Sequence, residues 1–186
     1  MAGGFRPIQD RSGNPYCGKV EEYVVNASHA TLLAVGDLVI ETGNLDTASG
    51  LSEVDAASAG GLITGVIVGI LPNYSNLEQK GLPASTGGRV LVANDKNMII
   101  EAETSGGTLA TTDVGGNLDI VATAATSTGN LVNSNMTVDA SGAATSATAQ
   151  VRVIGVKDSG DITYPAPAGT TILCRINEST NDTVGV

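Results

Sequence analysis

Aromatic residues are scarce in this chain: tryptophan is absent, phenylalanine occurs once, and aromatics together make up 3% of 186 residues. A ligand site walled by stacked rings is therefore not expected, and the core must be built from Val, Ile, Leu and Ala. Basic residues are sparse too, nine Lys and Arg against nineteen Asp and Glu, for a net charge of −10. Nucleic acid and anionic membranes both demand a cationic footprint, so neither is expected as a partner. Cysteine is limited to Cys17 and Cys174, whose spacing fits neither a metal site nor a disulfide framework. In TTILCRIN, Cys174 alternates with Ile172 and Ile176, which predicts a buried, inert thiol; Cys17 lies in a polar segment and is expected to be exposed. No apolar run approaches the ~20 residues that span a bilayer. MAGGFRPIQ lacks the apolar region of a signal peptide, which predicts synthesis in a cytoplasm.

Catalytic groups are equally thin. His29 is the one histidine, with no Ser, Thr or Cys placed beside it by sequence context, and it reads as a surface or polar-pocket residue. Glu101 and Glu103 share one face of a strand, where a solvated surface is the expectation rather than an acid/base pair. The glycine pairs lack Walker spacing, and Asn44, Asp46, Asp95 and Asn97 do not form a spaced calcium loop. No enzyme activity, cofactor or metal is expected.

What the chain does have is β pattern. The densest β-branched runs are Leu62–Leu71 and Arg89–Ala93, followed by an alternating run at Met98–Glu103. Val and Ile pack well on a pleated surface and lose rotamer freedom in a helix. Further strands are expected within Val20–Ala27, on either side of the Gly36-Asp37 interruption, at Leu118–Ala122, at Gln150–Val156 and at Thr171–Asn177. Many short strands between turn signals predict an all-β, single compact barrel or sandwich, jelly-roll-like arrangements included. Asn94–Asn97 predicts a tight hairpin, and Asn44–Ala59 a surface loop. Residues 122–149, rich in Ser, Thr, Ala and Gly, predict short edge strands joined by loops, or disorder through 141–148.

Two stretches stand out as contact surfaces. Residues 1–19 carry Gly3, Gly4, Pro7, Gly13, Pro15 and Gly18, which predicts an extended N-terminal arm ahead of a β domain spanning 20–186. In that arm Arg6, Arg11 and Lys19 face only Asp10, a net +2 against −12 for the remainder. A basic, Phe5-tipped arm of this kind suits an acidic neighbour, with Phe5, Arg6, Arg11, Tyr16 and Lys19 as its contacts. The polar excursion between Leu71 and Arg89, bracketed by Pro72 and Pro83, adds Tyr74 and Lys80, because long loops in compact domains tend to carry function.

The order of segments GDLVIETG, LITGVIVGILPN, GLPASTGGRVLVANDKNMIIEAE, GTLATTDVGGNLDIV, SATAQVRVIGV and TILCRIN resembles small head structural proteins of tailed bacteriophages and prophages. The likeness spans Gly36–Asn177 and leaves the first thirty or so residues outside. In such proteins the turn after VLVA tends to carry a further acidic residue and Pro, where this chain has Lys96 and Asn97. The resemblance implies a capsid decoration or cement protein. Such a protein acts as a dimer or trimer, sits on the exterior of the virion and binds the major capsid protein of the expanded shell. A fibre or adhesin module that binds a host receptor through its loops is the alternative.

Overall fold

Chain segments rich in Val and Ile become strands here, as branched side chains favour. The computed structural model describes residues 3–74, 76–78, 80–128, 131–141, 148–157 and 162–180, and among these the only helical element is a 3-10 turn at Thr111–Asp113. The fold is all-β. The first strand, β1 (Arg6–Asp10), belongs to a large sheet. The next five, β2 (Glu21–Val25), β3 (Leu38–Leu45), β4 (Ser52–Ala56), β5 (Gly65–Ile70) and β6 (Gly88–Ala93), close into a barrel in the order β2-β4-β3-β5-β6. β6 pairs with β5 on one side and β2 on the other, so the ring has no free edge. Alternation sends Tyr23, Val25, Val39, Val54, Ile67, Val90 and Val92 inward, where Leu33 and Leu82 complete the filling.

The chain leaves the barrel at Ala93 and enters β7 (Met98–Ser105), the axis of the second sheet. One edge of β7 pairs with β14 (Thr171–Ile176); the other is shared end to end by β1 and by β12 (Thr137–Asp139). Beyond β14 lie β13 (Val151–Val156) and β8 (Asn117–Leu118), and beyond β12 lies β9 (Ile120–Val121). A separate hairpin joins β10 (Thr126–Thr128) to β11 (Leu131–Asn133). Inward residues of this sheet, among them Ile100, Val138, Val151, Ile172 and Cys174, share one core with Leu38, Ile63, Val66 and Ala93 of the barrel.

Gln150 adds a polar stitch to that seam. It is fully buried, accepts from Gly60 N (2.9 Å) and Ile120 N (3.2 Å), and donates to Ser58 O (2.9 Å) and Gly61 O (2.6 Å). Its side chain thus reaches from the start of β13 into the β4–β5 connection of the barrel.

Several expectations need correction. Residues 3–10 are not a free arm: Phe5 is 2% exposed and packs in the shared core, and the next five residues form β1. Composition hid this because Pro7 and the glycines argue against a strand. Pro7 is tolerated at an irregularity in a strand whose one strand partner is β7. The Asn94–Asn97 turn is not a hairpin, since both edges of β6 are already occupied and β7 must pair elsewhere. Residues 44–59 are not one loop but hold the end of β3 and all of β4. Within 122–149 the expected short strands form, yet Met136 and Val138 lie in the core, with β12 parallel to β7. The disorder option for 141–148 falls largely on residues outside those described.

Candidate interaction surface

The N-terminal segment is locked where it crosses the turn before β3. Phe5 N donates to Gly36 O (2.8 Å), and a Cβ on Gly4 would stand 2.4 Å from Ser134 Oγ and 2.6 Å from Gly36 O. With φ of +67° and +95°, Gly4 and Gly36 both need the left-handed region. Beside this crossing Asp37 is 1% exposed, and its Oδ2 accepts from Ala34 N (2.7 Å). Burial pushes its carboxyl up to about 6 against the Ser134 hydroxyl and the Ala34 N–H, which favour the charged form.

The proposed contact residues of the first nineteen therefore divide. Phe5 belongs to the core and is removed from the surface. Arg6 pairs with Glu101 across β1 and β7, and Lys157 binds the other carboxylate oxygen. Glu101 is 8% exposed rather than solvated, correcting the expected wet face. Burial acts to raise its carboxyl, but the hydrogen bonds and charges of Lys157 and Arg6 outweigh it and hold the group below the usual range. Tyr16 packs partly against the core, its hydroxyl 3.3 Å from Lys19 O, and Lys19 pairs with Asp95 at 3.2 Å. Arg11 is exposed in the turn after β1.

The other candidates sit at the opposite end of β6. Leu33 and Leu82 exchange backbone hydrogen bonds of 2.9 and 2.8 Å, and Ser85 N donates to His29 O (3.0 Å). The buried His29 ring lies with Nε2 3.0 Å from Thr86 O, so the polar-pocket option is the one realised. On this pinned base the outer part of the loop presents Tyr74, 91% exposed, and Leu77, 73% exposed; Lys80 is exposed as well. Tyr74, Leu82 and Arg89 help to line an open groove of about 500 Å³. Lys19 is held beyond the Ala93 end of β6 and Tyr74 beyond the Gly88 end, so the two groups stand apart by about 17–20 Å of strand.

Near the Asn97 end the structure assembles a set of cations that sequence reasoning missed. Arg11, Arg152 and Arg175 line a second open groove of about 580 Å³ with Asn97, Ile99 and Ile154. Arg152 and Arg175 are cross-strand partners in β13 and β14. Alternation alone places each on the outer face of its strand, but only the register brings them together. Cys174 is buried, its thiol pushed up to about 12 by burial, and Cys17 is exposed; both are free. Among the described residues no group of His, Cys, Asp or Glu is arranged to hold a metal ion, and no helix is long and apolar enough to cross a membrane. No family profile matches the chain, and neither a curated protein nor a solved structure matches it.

Proposed function

We propose that this chain is a structural protein that attaches to the outer surface of a bacteriophage-type capsid and stabilises the shell. Its partner in this reading, the major capsid protein, is what the resemblance over Gly36–Asn177 implies. The single observation that carries the attachment half of the reading is the outer part of the 71–88 loop. Tyr74 and Leu77 stand exposed on a base pinned by the Leu33–Leu82 bonds and by His29. Large side chains already exposed to water gain by burial when a partner covers them, and a pinned loop base lowers the backbone ordering that binding must supply.

Copies on a symmetric shell gain from repetition, so a modest contact at each loop suffices when the chain binds as a dimer or trimer. The N-terminal segment contributes differently from a free clamp. Phe5 and Arg6 fix β1 in the sheet, which leaves Arg11, Tyr16 and Lys19 as the surface part of that segment.

Co-sedimentation of the full chain with expanded empty capsids tests the reading. We expect saturable binding that falls about tenfold in Tyr74→Ala/Leu77→Ala while the melting temperature stays unchanged, since exposed substitutions move stability by no more than about 0.5 kcal/mol. Binding to host cells and not to capsids would replace this reading with the fibre or adhesin one.

A further inference from the structure

The arginine groove lies on the outer face of the second sheet, away from the loop that carries the proposed attachment. Arg152 and Arg175 stand directly opposite each other across β13 and β14. Like charges at such positions oppose pairing of the strands. Arg11 joins them from the turn after β1, and among the described residues no acidic side chain lines the groove. The contrast with the other cations is direct. Four of the other six, Arg6, Lys19, Arg89 and Lys157, each pair with a carboxylate, whereas Arg11, Arg152 and Arg175, gathered in one groove, have no hydrogen-bond or ion-pair partner among the described residues.

Three carboxylates on neighbouring elements are committed elsewhere, and Glu103 of β7 lines a different groove. Asp10 accepts from Ser12 N, Asn14 N and Asn14 Nδ2, closing the turn that contains Arg11; Asp95 holds Lys19 and Asn97 N; Glu101 holds Arg6 and Lys157. In a chain with twice as many acids as bases, three converging arginines are thus left for an external anion. Beside them Ile154 is 43% exposed on the irregular stretch of β13 and Ile99 contributes a further apolar wall.

We propose that this groove docks an acidic polypeptide segment of a partner protein, its carboxylates taken by Arg152 and Arg175 and an intervening apolar side chain resting on Ile154. Guanidinium forks match carboxylates bidentately, which an acidic turn or loop can exploit by directing two carboxylates and the apolar residue between them to one side. A nucleic acid backbone uses the same charge but not the apolar wall, and its further phosphates would meet a protein of net charge −10. The inference does not depend on the capsid reading, since it concerns the chemistry of the occupant and not its source.

Isothermal titration of the full chain with a short acetylated peptide of alternating glutamate and leucine tests it, with a glutamine-for-glutamate peptide and an oligothymidylate of equal charge as comparisons. We expect the acidic peptide to bind, to weaken with added salt, to shift the Arg152 and Arg175 side-chain resonances, and to lose about tenfold in affinity in Arg152→Gln/Arg175→Gln. Arg11→Gln, a change in an exposed turn, supplies the second variant if the double one folds poorly, with a smaller loss. No binding, equal binding by the glutamine peptide or by the variants, or tighter binding of the oligothymidylate would each overturn the proposal.

Discussion

The barrel and the second sheet are built from the same residue types but by opposite routes. All five barrel strands come from one continuous stretch, residues 21–93, and their ring leaves no edge unpaired. The sheet gathers β1 from the N-terminal end, β7 from the middle and β14 from near the C-terminal end; Arg6 and Glu101, paired across β1 and β7, lie 95 residues apart. The barrel is therefore an insertion between two strands that are neighbours in space. Local closure costs less chain entropy than distant pairing, so the sheet is the part whose formation depends on the rest already being in place. Its ties to the barrel include the shared core around Phe5, the Gln150 stitch and the backbone bonds Ile63 N to Glu178 O (2.9 Å) and Thr180 N to Ile63 O (3.1 Å).

Phe5→Ala is expected to have the largest effect, a loss of about 3–5 kcal/mol, because it empties the volume of a large buried side chain at the seam. Denaturant unfolding followed by amide exchange reads it: barrel and sheet should lose protection together, since one core spans both. Loss of protection in β13 and β14 with β2–β6 intact would break the comparison by showing two independent units. By the same reasoning, deleting residues 1–19 removes Phe5 and β1 and should abolish the folded sheet.

Gln150→Ala follows at about 3 kcal/mol. The buried Ile120 N–H loses its partner, and the part-buried bonds to Gly60 N, Ser58 O and Gly61 O go with it; an unsatisfied buried group costs about 1–3 kcal/mol, and the part-buried ones are partly relieved by water entering the gap. Thermal melts of Gln150→Ala beside Gln150→Glu sharpen the point. The second variant keeps the acceptor for Gly60 N and Ile120 N but loses both donated bonds, and an effect no larger than that of an exposed substitution would remove the stitch from the account.

The difference in assembly also explains what the sequence makes legible. β5 and β6 are readable because GVIVGI and RVLVA carry dense β-branched pattern, and β14 because Ile172, Cys174 and Ile176 alternate. Strand existence is a local property. Partner choice is not: the turn at Asn94–Asn97 has hairpin residues, yet the pairing of β6 is decided by ring closure some seventy residues in extent. The arm misleads for the same reason. Nothing near Phe5 in sequence is apolar enough to suggest a core, because its neighbours, Leu38, Ile100 and Val138 among them, arrive from elsewhere. Arg152 and Arg175 are visible as outward residues of two strands, and only a register that periodicity does not report makes them a pair. Tyr74 and the outer part of the 71–88 excursion are the exception, since the tip of a long loop between two strong strands is exposed whatever the strand order, although Leu82 of the same loop fills the barrel.

Asp37 supplies the finest test of the seam, because it stands where the N-terminal segment crosses the barrel and its titration reports how dry that crossing is. Its folded carboxyl is raised to about 6 from 3.8 by burial, so the native state holds a proton there that the unfolded chain releases. Between about pH 4 and pH 6 this group makes stability fall as pH rises: its contribution is fully present below the unfolded value and is gone above the folded one. The shift corresponds to no more than about 3 kcal/mol. The lowered carboxyls of Glu101 and Asp95 act with the opposite sign, losing their stabilisation as pH falls toward and below their unfolded values. Wild type alone would show only the sum. Asp37→Asn separates them, since its amide oxygen still accepts from Ala34 N while the charge is gone. Urea midpoints across pH 4–8 should then place Asp37→Asn above wild type at neutral pH, with the gap closing toward pH 4. Parallel curves for the two proteins would mean that water reaches Asp37 and that the segment carrying Phe5 opens from the barrel more readily than its buried side chain implies.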